Sequence, residues 1–148
     1  MQTAGIKNII FDLGAVLIDI DFRKVTLAFE KIGIKNFDKQ FSQLSATGLF
    51  ENLETGRISN NEFYQQMIAQ AGHGVGERDI EHAWNAILQD FRVSSLQHLN
   101  LIKPHYRLYL LSNTNDIHLK KVNEILFRQT GRQQLDDFFI KAYYSHKV

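Results

Sequence analysis

Ile9-Ile10-Phe11-Asp12-Leu13-Gly14-Ala15-Val16-Leu17-Ile18-Asp19 is the stretch on which the rest of the chain is read. Its β-branched and aromatic residues run unbroken to Asp12, the pattern of a strand covered on both faces in a parallel sheet flanked by helices. The strand expected over 7–11 ends on a lone carboxylate, and a Gly14-Ala15 turn follows at once. In open parallel α/β sheets, ligands gather outside the carboxyl ends of the strands. Asp12 therefore stands where a nucleophile or a metal ligand would stand. The rival reading is an aspartate that only caps a turn.

Downstream, Asp21 precedes a helical pattern with Phe22, Val25, Phe29 and Ile32 on one face and Gly33 as its stop. A short helix is expected over 37–44. Gly48 and Gly56 bracket Leu49-Phe50-Glu51-Asn52-Leu53, of which Phe50-Glu51-Asn52 is read as loop. Ser59 with Glu62 forms a capping box that opens a helix running to Gly72. Residues 77–88 carry the helical stripe Ile80, Ala83, Trp84, Ile87, and 94–102 form another helix. No strand is expected between Asp21 and Pro104. Strands resume with Arg107-Leu108-Tyr109-Leu110-Leu111, followed by the polar turn Ser112-Asn113-Thr114-Asn115. A helix over 116–126, capped by Asn115 or Asp116, and a third strand over 138–144 complete the order.

The predicted fold class is α/β, with a Rossmann-like parallel sheet core formed by 1–20 and 104–148 and an all-helical insertion over 21–103. A right-handed crossover sets the strands side by side, which brings Ser112 to the same sheet edge as Asp12. At 148 residues the chain can bury a sizeable core. Net charge is +1, with nothing that asks for nucleic acid or a membrane surface. The absence of cysteine excludes disulfides and thiolate metal sites. No signal pattern or membrane-length apolar run is present, so the cytoplasm is the expected location.

An Asp beside a Gly turn, a Ser-Asn pair at a neighbouring strand end and a helix starting just beyond it suit a phosphate group. The Ser112 hydroxyl and the Asn113 backbone N–H can donate to phosphoryl oxygens, and the helix N-terminus adds partial positive charge. A carboxylate can attack phosphorus to give an acyl phosphate. Two approaching anions need a counter-charge, for which Mg²⁺ held by carboxylate, backbone oxygen and phosphate is the natural choice. Taken alone, Ser112-Asn113-Thr114-Asn115 reads first as a turn and helix cap, because these residue types dominate turns.

Together, Phe11-Asp12-Leu13-Gly14-Ala15-Val16 and Leu110-Leu111-Ser112-Asn113-Thr114-Asn115 resemble the first and second motifs of the haloacid dehalogenase-like (HAD) superfamily of phosphohydrolases. The helical block between them is similar to that family's C1 cap. Within the superfamily the motifs most resemble bacterial sugar-phosphate phosphatases, including those acting on α-D-glucose 1-phosphate. The resemblance implies Asp12 as nucleophile and Mg²⁺ ligand and the Gly14 carbonyl as second metal ligand. Leu13, Gly14, Ser112 and Asn113 would surround the transferred phosphoryl group of a small phosphate ester. Cap residues would close over the sugar and exclude water.

Two departures stand out. Many family members carry a second Asp where this chain has Gly14, and use it as general acid to the leaving oxygen. Glycine does occur there in the sugar-phosphatase branch, which leaves the proton source open. The family's third and fourth motifs supply a lysine and further acids, and neither appears in these 148 residues; Lys147 falls too early and reads as a solvated residue. The chain is thus expected to be a fragment of a longer enzyme, with weak Mg²⁺ binding and exposed sheet edge and apolar surface that favour association, such as a homo-oligomer, or poor stability. The rival expectations are a degenerate domain kept as a non-catalytic binding module and a metal-independent 2-haloacid dehalogenase. The latter usually carries a bulky aromatic in place of Gly14.

Other residues invite weaker readings. Trp84, Phe50, Phe22 and Tyr64 are candidates for a pocket lining, with core packing preferred for Trp84. Glu51 is weighed as a contact for a sugar hydroxyl against a solvated acid. Asp19 and Asp21 read as local caps. His118 reads as surface exposed on its helix, and none of the six histidines has zinc-ligand spacing.

Overall fold

A computed structural model describes residues 5–148. Residues 1–4, which the sequence reading places at the start of the core, lie outside the described residues. The architecture is mixed α/β, built on a three-stranded parallel sheet of order β1-β4-β5. Strand β1 spans Asn8–Phe11, β4 Arg107–Ser112 and β5 Lys141–Tyr144. In register, Phe11 lies beside Leu110, and Ser112 beside Tyr144. Parallel pairing aligns all three carboxyl ends on one edge.

Each strand shows the two-residue alternation of side chains. Phe11, Leu108, Leu110 and Tyr144 face a cluster completed by Leu96 and Leu99 of helix α6 (Val93–Ile102) and by Leu119, Val122, Ile125 and Leu126 of helix α7 (Asp116–Thr130). The opposite sheet face is bare, with Ile10 66%, Leu111 58% and Tyr143 39% exposed. The apolar exposure expected from sequence is therefore present, and it lies on one face of the sheet.

Helices α1 (Phe22–Lys31), α2 (Phe37–Ala46), α3 (Leu49–Glu54), α4 (Asn60–Ile68) and α5 (Glu77–Asn85) build a second cluster. Its centre is aromatic: Phe29 and Phe63 are fully buried, and Phe50 stacks on Trp84 at 5.2 Å between ring centroids. Burying each such ring is worth roughly 1.5–3 kcal/mol. The capping box at Ser59 forms as read, with Ser59 Oγ accepting from the Glu62 N–H at 3.1 Å and the Glu62 carboxylate accepting from the Ser59 N–H at 2.7 Å. Asp21 caps α1 by accepting from the Arg23 N–H. Phe22, expected on the buried face of α1, is instead exposed, because as the first helical residue it precedes the turn that packs.

Two strands correct the sequence reading. Ile18–Ile20 (β2) pairs antiparallel with Leu88–Phe91 (β3), where no strand was expected. The helix read over 77–88 therefore stops at Asn85. Both β3 and α6 fall within the stretch grouped with the helical insertion, yet Phe91, Leu96 and Leu99 join the sheet-side cluster. The backbone of Phe91 is also held to the core, its N–H donating to Gln129 Oε1 at 2.7 Å. The third strand is shorter than read: 135–138 is a 3-10 turn whose Leu135 and Phe138 seat in the core.

Candidate active site

Asp12 is the first residue beyond β1, and the turn after it is tightly wound. The Leu13 carbonyl accepts from the N–H groups of Val16, Leu17 and Ile18, and the Ala15 N–H returns to the Ile18 carbonyl at 2.8 Å. This winding puts Ala15 at φ 61°, a left-handed conformation that a residue with a Cβ adopts at a cost. Leu13 and Leu17 anchor the turn in the core. The Asp12 side chain is exposed, with Oδ1 accepting from the Leu13 N–H at 2.7 Å.

Ser112 ends β4, the strand beside β1, and is buried at 4% exposure. The loop after it is fixed from below. Ser145 Oγ accepts from the Thr114 N–H at 2.9 Å and donates to the Thr114 carbonyl at 2.8 Å. Asn115 is fully buried and caps α7, its Oδ1 accepting from the His118 N–H at 2.9 Å. Asp12 and Ser112 thus share one edge of the sheet, on adjacent parallel strands, with the N-terminus of a 15-residue helix just beyond.

A cleft of about 320 Å³ opens between this edge and the helices. Leu13, Gly14, Ser112, Asn113 and Thr114 form its polar floor, and Phe22, Val25, Phe37, Phe41, Trp84, Ile87 and Leu88 its apolar wall. Asp12 lies next to this floor in sequence without lining the cleft itself. Thr26, Asp38, Glu54 and His118 add polar groups; among the described residues no lysine or arginine lines it. Glu54 Oε2 accepts from Asn113 Nδ2 at 3.3 Å, and burial raises the Glu54 pKa above the usual carboxylate range.

Several side chains depart from their sequence readings. Glu51 lies on α3 rather than in a loop; it pairs with Arg57 at 3.5 Å and does not line the cleft. Glu54, one turn further on, does line it and was missed. A usable signal existed: Glu54 follows Phe50 by four residues, on the flank of the buried Leu49-Phe50-Leu53 stripe, whereas Glu51 is on the far side. His118 is half-buried rather than exposed, stacked on Trp84, and loss of solvent around the ring pushes its pKa down to about 4. Asp19 does not cap a helix but pairs with Arg92 at 2.6 Å. Trp84 is a core residue as read and also walls the cleft, while Phe22 reaches the cleft from its exposed position.

No family model matches the chain. Relatives do. A D-ribitol-5-phosphate phosphatase of Bacteroides thetaiotaomicron is 32% identical over 143 residues, which is 97% of this chain and 69% of that protein. The chain belongs with the phosphatases of the haloacid dehalogenase-like (HAD) superfamily. A HAD family enzyme of B. thetaiotaomicron superposes with a TM-score of 0.88 at 37% identity, covering 97% of this chain and 70% of the other. A HAD-like family hydrolase of Porphyromonas gingivalis superposes with a TM-score of 0.83 at 34% identity, covering 96% and 67%. Further structures of the Bacteroides enzyme hold magnesium with inorganic phosphate, one of them in a variant with an aspartate replaced by alanine. The HAD fold thus extends over nearly the whole of this chain.

Proposed function

We propose that this chain carries the nucleophile and phosphoryl-binding half of a Mg²⁺-dependent phosphatase acting on monophosphate esters of sugars or polyols. The observation that carries the reading is the placement of Asp12 and Ser112 at one carboxyl edge, on neighbouring parallel strands and beside the cleft. The Asp12 carboxylate attacks phosphorus, the alkoxide leaves, and water then hydrolyses the aspartyl phosphate. Ser112 Oγ and the backbone N–H of Asn113 hold the phosphoryl oxygens, aided by the N-terminus of α7.

The donors present suit a hard cation: an exposed carboxylate at Asp12 and the backbone carbonyl of Gly14, with water and the substrate phosphate completing the shell, as Mg²⁺ prefers. Bound there, Mg²⁺ neutralises the two anions as they approach. Residues 21–87 act as the cover that excludes water, and the cleft they share with the sheet edge sets the substrate class. Its aromatic wall and its lack of a lysine or arginine among the described residues favour a neutral polyhydroxy leaving group over one bearing a second anion. We further place the enzyme in the cytoplasm, working on free metabolites; no helix among the described residues is long and apolar enough to cross a membrane.

The test is phosphate release from a panel of sugar and polyol phosphates, with Mg²⁺ or with EDTA. It is run on the 148-residue chain and on a form lengthened by the segment its relatives carry beyond the matched region. Metal-dependent release that vanishes in Asp12→Asn supports the reading; no release from either form sinks it. One observation favours a binding module instead: among the described residues no three His, Asp or Glu cluster to hold a metal. Unaltered ligand binding by an inactive Asp12→Asn variant, with no turnover by the parent, would establish that alternative.

A further inference from the structure

Departure of an alkoxide needs a proton, and the residue two beyond Asp12 cannot give one. Gly14 has no side chain, and the space above it is open: an added Cβ would meet nothing nearer than Ile20 at 3.9 Å. The ionisable side chains that line the cleft are Asp38, Glu54 and His118. Both ring nitrogens of His118 are engaged, one with the Trp84 carbonyl and the other with the Asn115 amide. Asp38 is held by Thr26 and also lines a separate surface groove beside Arg23 and Leu27.

Glu54 differs from both. It comes from the covering helices to meet the floor, where it touches the side chain of Asn113, whose backbone grips phosphate in the reading above. Its position is fixed by close packing beneath it. Gly56, at φ 69°, brings the end of α3 against the residues after β5 so tightly that a Cβ there would stand 2.7 Å from the His146 carbonyl oxygen. The same turn, through Ser145, holds Thr114. One support therefore sets both the phosphate loop and the carboxyl that faces it.

The geometry points to Glu54 as the general acid and base of this site, delivered from the covering helices in place of the missing side chain at Gly14. This rests on the phosphatase reading. In the first step the Asp12 carboxylate forms its bond to phosphorus, the P–O bond to the leaving group breaks, and the Glu54 carboxyl passes its proton to the departing oxygen, giving alcohol, aspartyl phosphate and a Glu54 carboxylate. In the second step water attacks phosphorus, its proton returns to Glu54, and phosphate and the free Asp12 carboxylate are released. Burial of Glu54 favours the protonated form that the first step requires. Asn113 from the loop after β4 bonds to Glu54, Asp38 from α2 and His118 from α7 line the same cleft, and the turn that carries His146 packs against Gly56 just beyond its helix. Its own helix contributes Glu51, which is paired with Arg57.

The experiment compares Glu54→Gln with the parent, in whichever form turns over, on two esters. One is an alkyl polyol phosphate. The other is p-nitrophenyl phosphate, whose leaving group departs without a proton. kcat/KM reports the steps up to that departure. The expected result is a fall of about 10²–10⁴-fold on the polyol ester and less than about fivefold on the nitrophenyl ester. Glu54→Asp should be intermediate, and the alkaline limb of the polyol profile should be lost in Glu54→Gln. Unchanged inorganic-phosphate affinity and thermal midpoint in Glu54→Gln show that the loop is intact. Equal falls on both esters, or no fall on either, overturn the role while leaving the phosphatase standing. Absence of turnover by the parent on every ester removes both.

Discussion

His118 lies flat against Trp84, ring centroids 4.8 Å apart, and its Nε2 donates to the carbonyl of that same tryptophan at 3.1 Å. Nδ1 accepts from Asn115 Nδ2 at 3.2 Å, so the neutral imidazole satisfies every partner around it. The pair joins α7, which begins just after the loop that follows Ser112, to α5 among the covering helices.

This desolvated imidazole gives stability a pH dependence. Its pKa is about 4 in the folded chain, against an ordinary value of 6.5. Above pH 6.5 both folded and unfolded forms are neutral and the fold pays no penalty. Between 6.5 and 4 the unfolded chain takes up a proton that the folded chain refuses, so stability falls as pH falls. Below 4 this contribution is fully lost, in total roughly 3 kcal/mol. Urea denaturation at a series of pH values from 7.5 to 4 checks this. The slope attributable to His118 should disappear in His118→Phe, which will itself be less stable at pH 7.5 for want of two hydrogen bonds.

Asp12→Asn should lower phosphate release by about 10³-fold or more, and Ser112→Ala by about 10²-fold. Asp12 is exposed, so its replacement should leave the denaturation midpoint within about 0.5 kcal/mol of the parent. A large loss of stability in Asp12→Asn would mean that the carboxylate serves the fold rather than the reaction.

Ser145→Ala removes the two hydrogen bonds that hold the Thr114 backbone, leaving a buried N–H without its partner. Destabilisation of about 2 kcal/mol is expected, with weaker binding of inorganic phosphate measured by calorimetry. Retained affinity would show that the loop holds its shape without this hydroxyl.

Gly33→Ala tests the packing of α1 on the end of α4. Gly33 is at φ 96°, and a Cβ there would stand 2.7 Å from the Gly72 backbone nitrogen. Neither atom can move without breaking the bond from the Gly72 N–H to the Ile32 carbonyl. A loss of about 2 kcal/mol or more is expected from chemical denaturation.

The two motif strands were legible because their signal is local: an apolar run, a stop, and a polar or glycine turn. The antiparallel pairing of β2 with β3 was not. Leu88-Gln89-Asp90-Phe91 has apolar residues only at its ends, and Leu88 also continues the helical stripe of Ile80, Ala83, Trp84 and Ile87. What makes it a strand is a partner far away in the chain, Ile20 beside Leu88 at 68 residues and Ile18 beside Phe91 at 73. In the site, Asp12 and Ser112 could be placed from strand order alone. For Glu54 the sequence offered only its place on the flank of the Leu49-Phe50-Leu53 stripe, and for His118 the same kind of flank, and three-dimensional packing decides whether such a flank meets water or a wall.

The sheet-side cluster draws none of its buried members from residues 21–87, and the cluster those residues build takes one member from outside them, Ile117 at the start of α7. The polypeptide departs and returns through register partners, Ile20 and Leu88. Replacing the intervening residues with a tight two-residue reversal would join chain ends that already lie side by side, but it would also strip Trp84 from His118 and Glu54 from Asn113, so the sheet and the block lean on each other although a single crossing of the chain in each direction connects them.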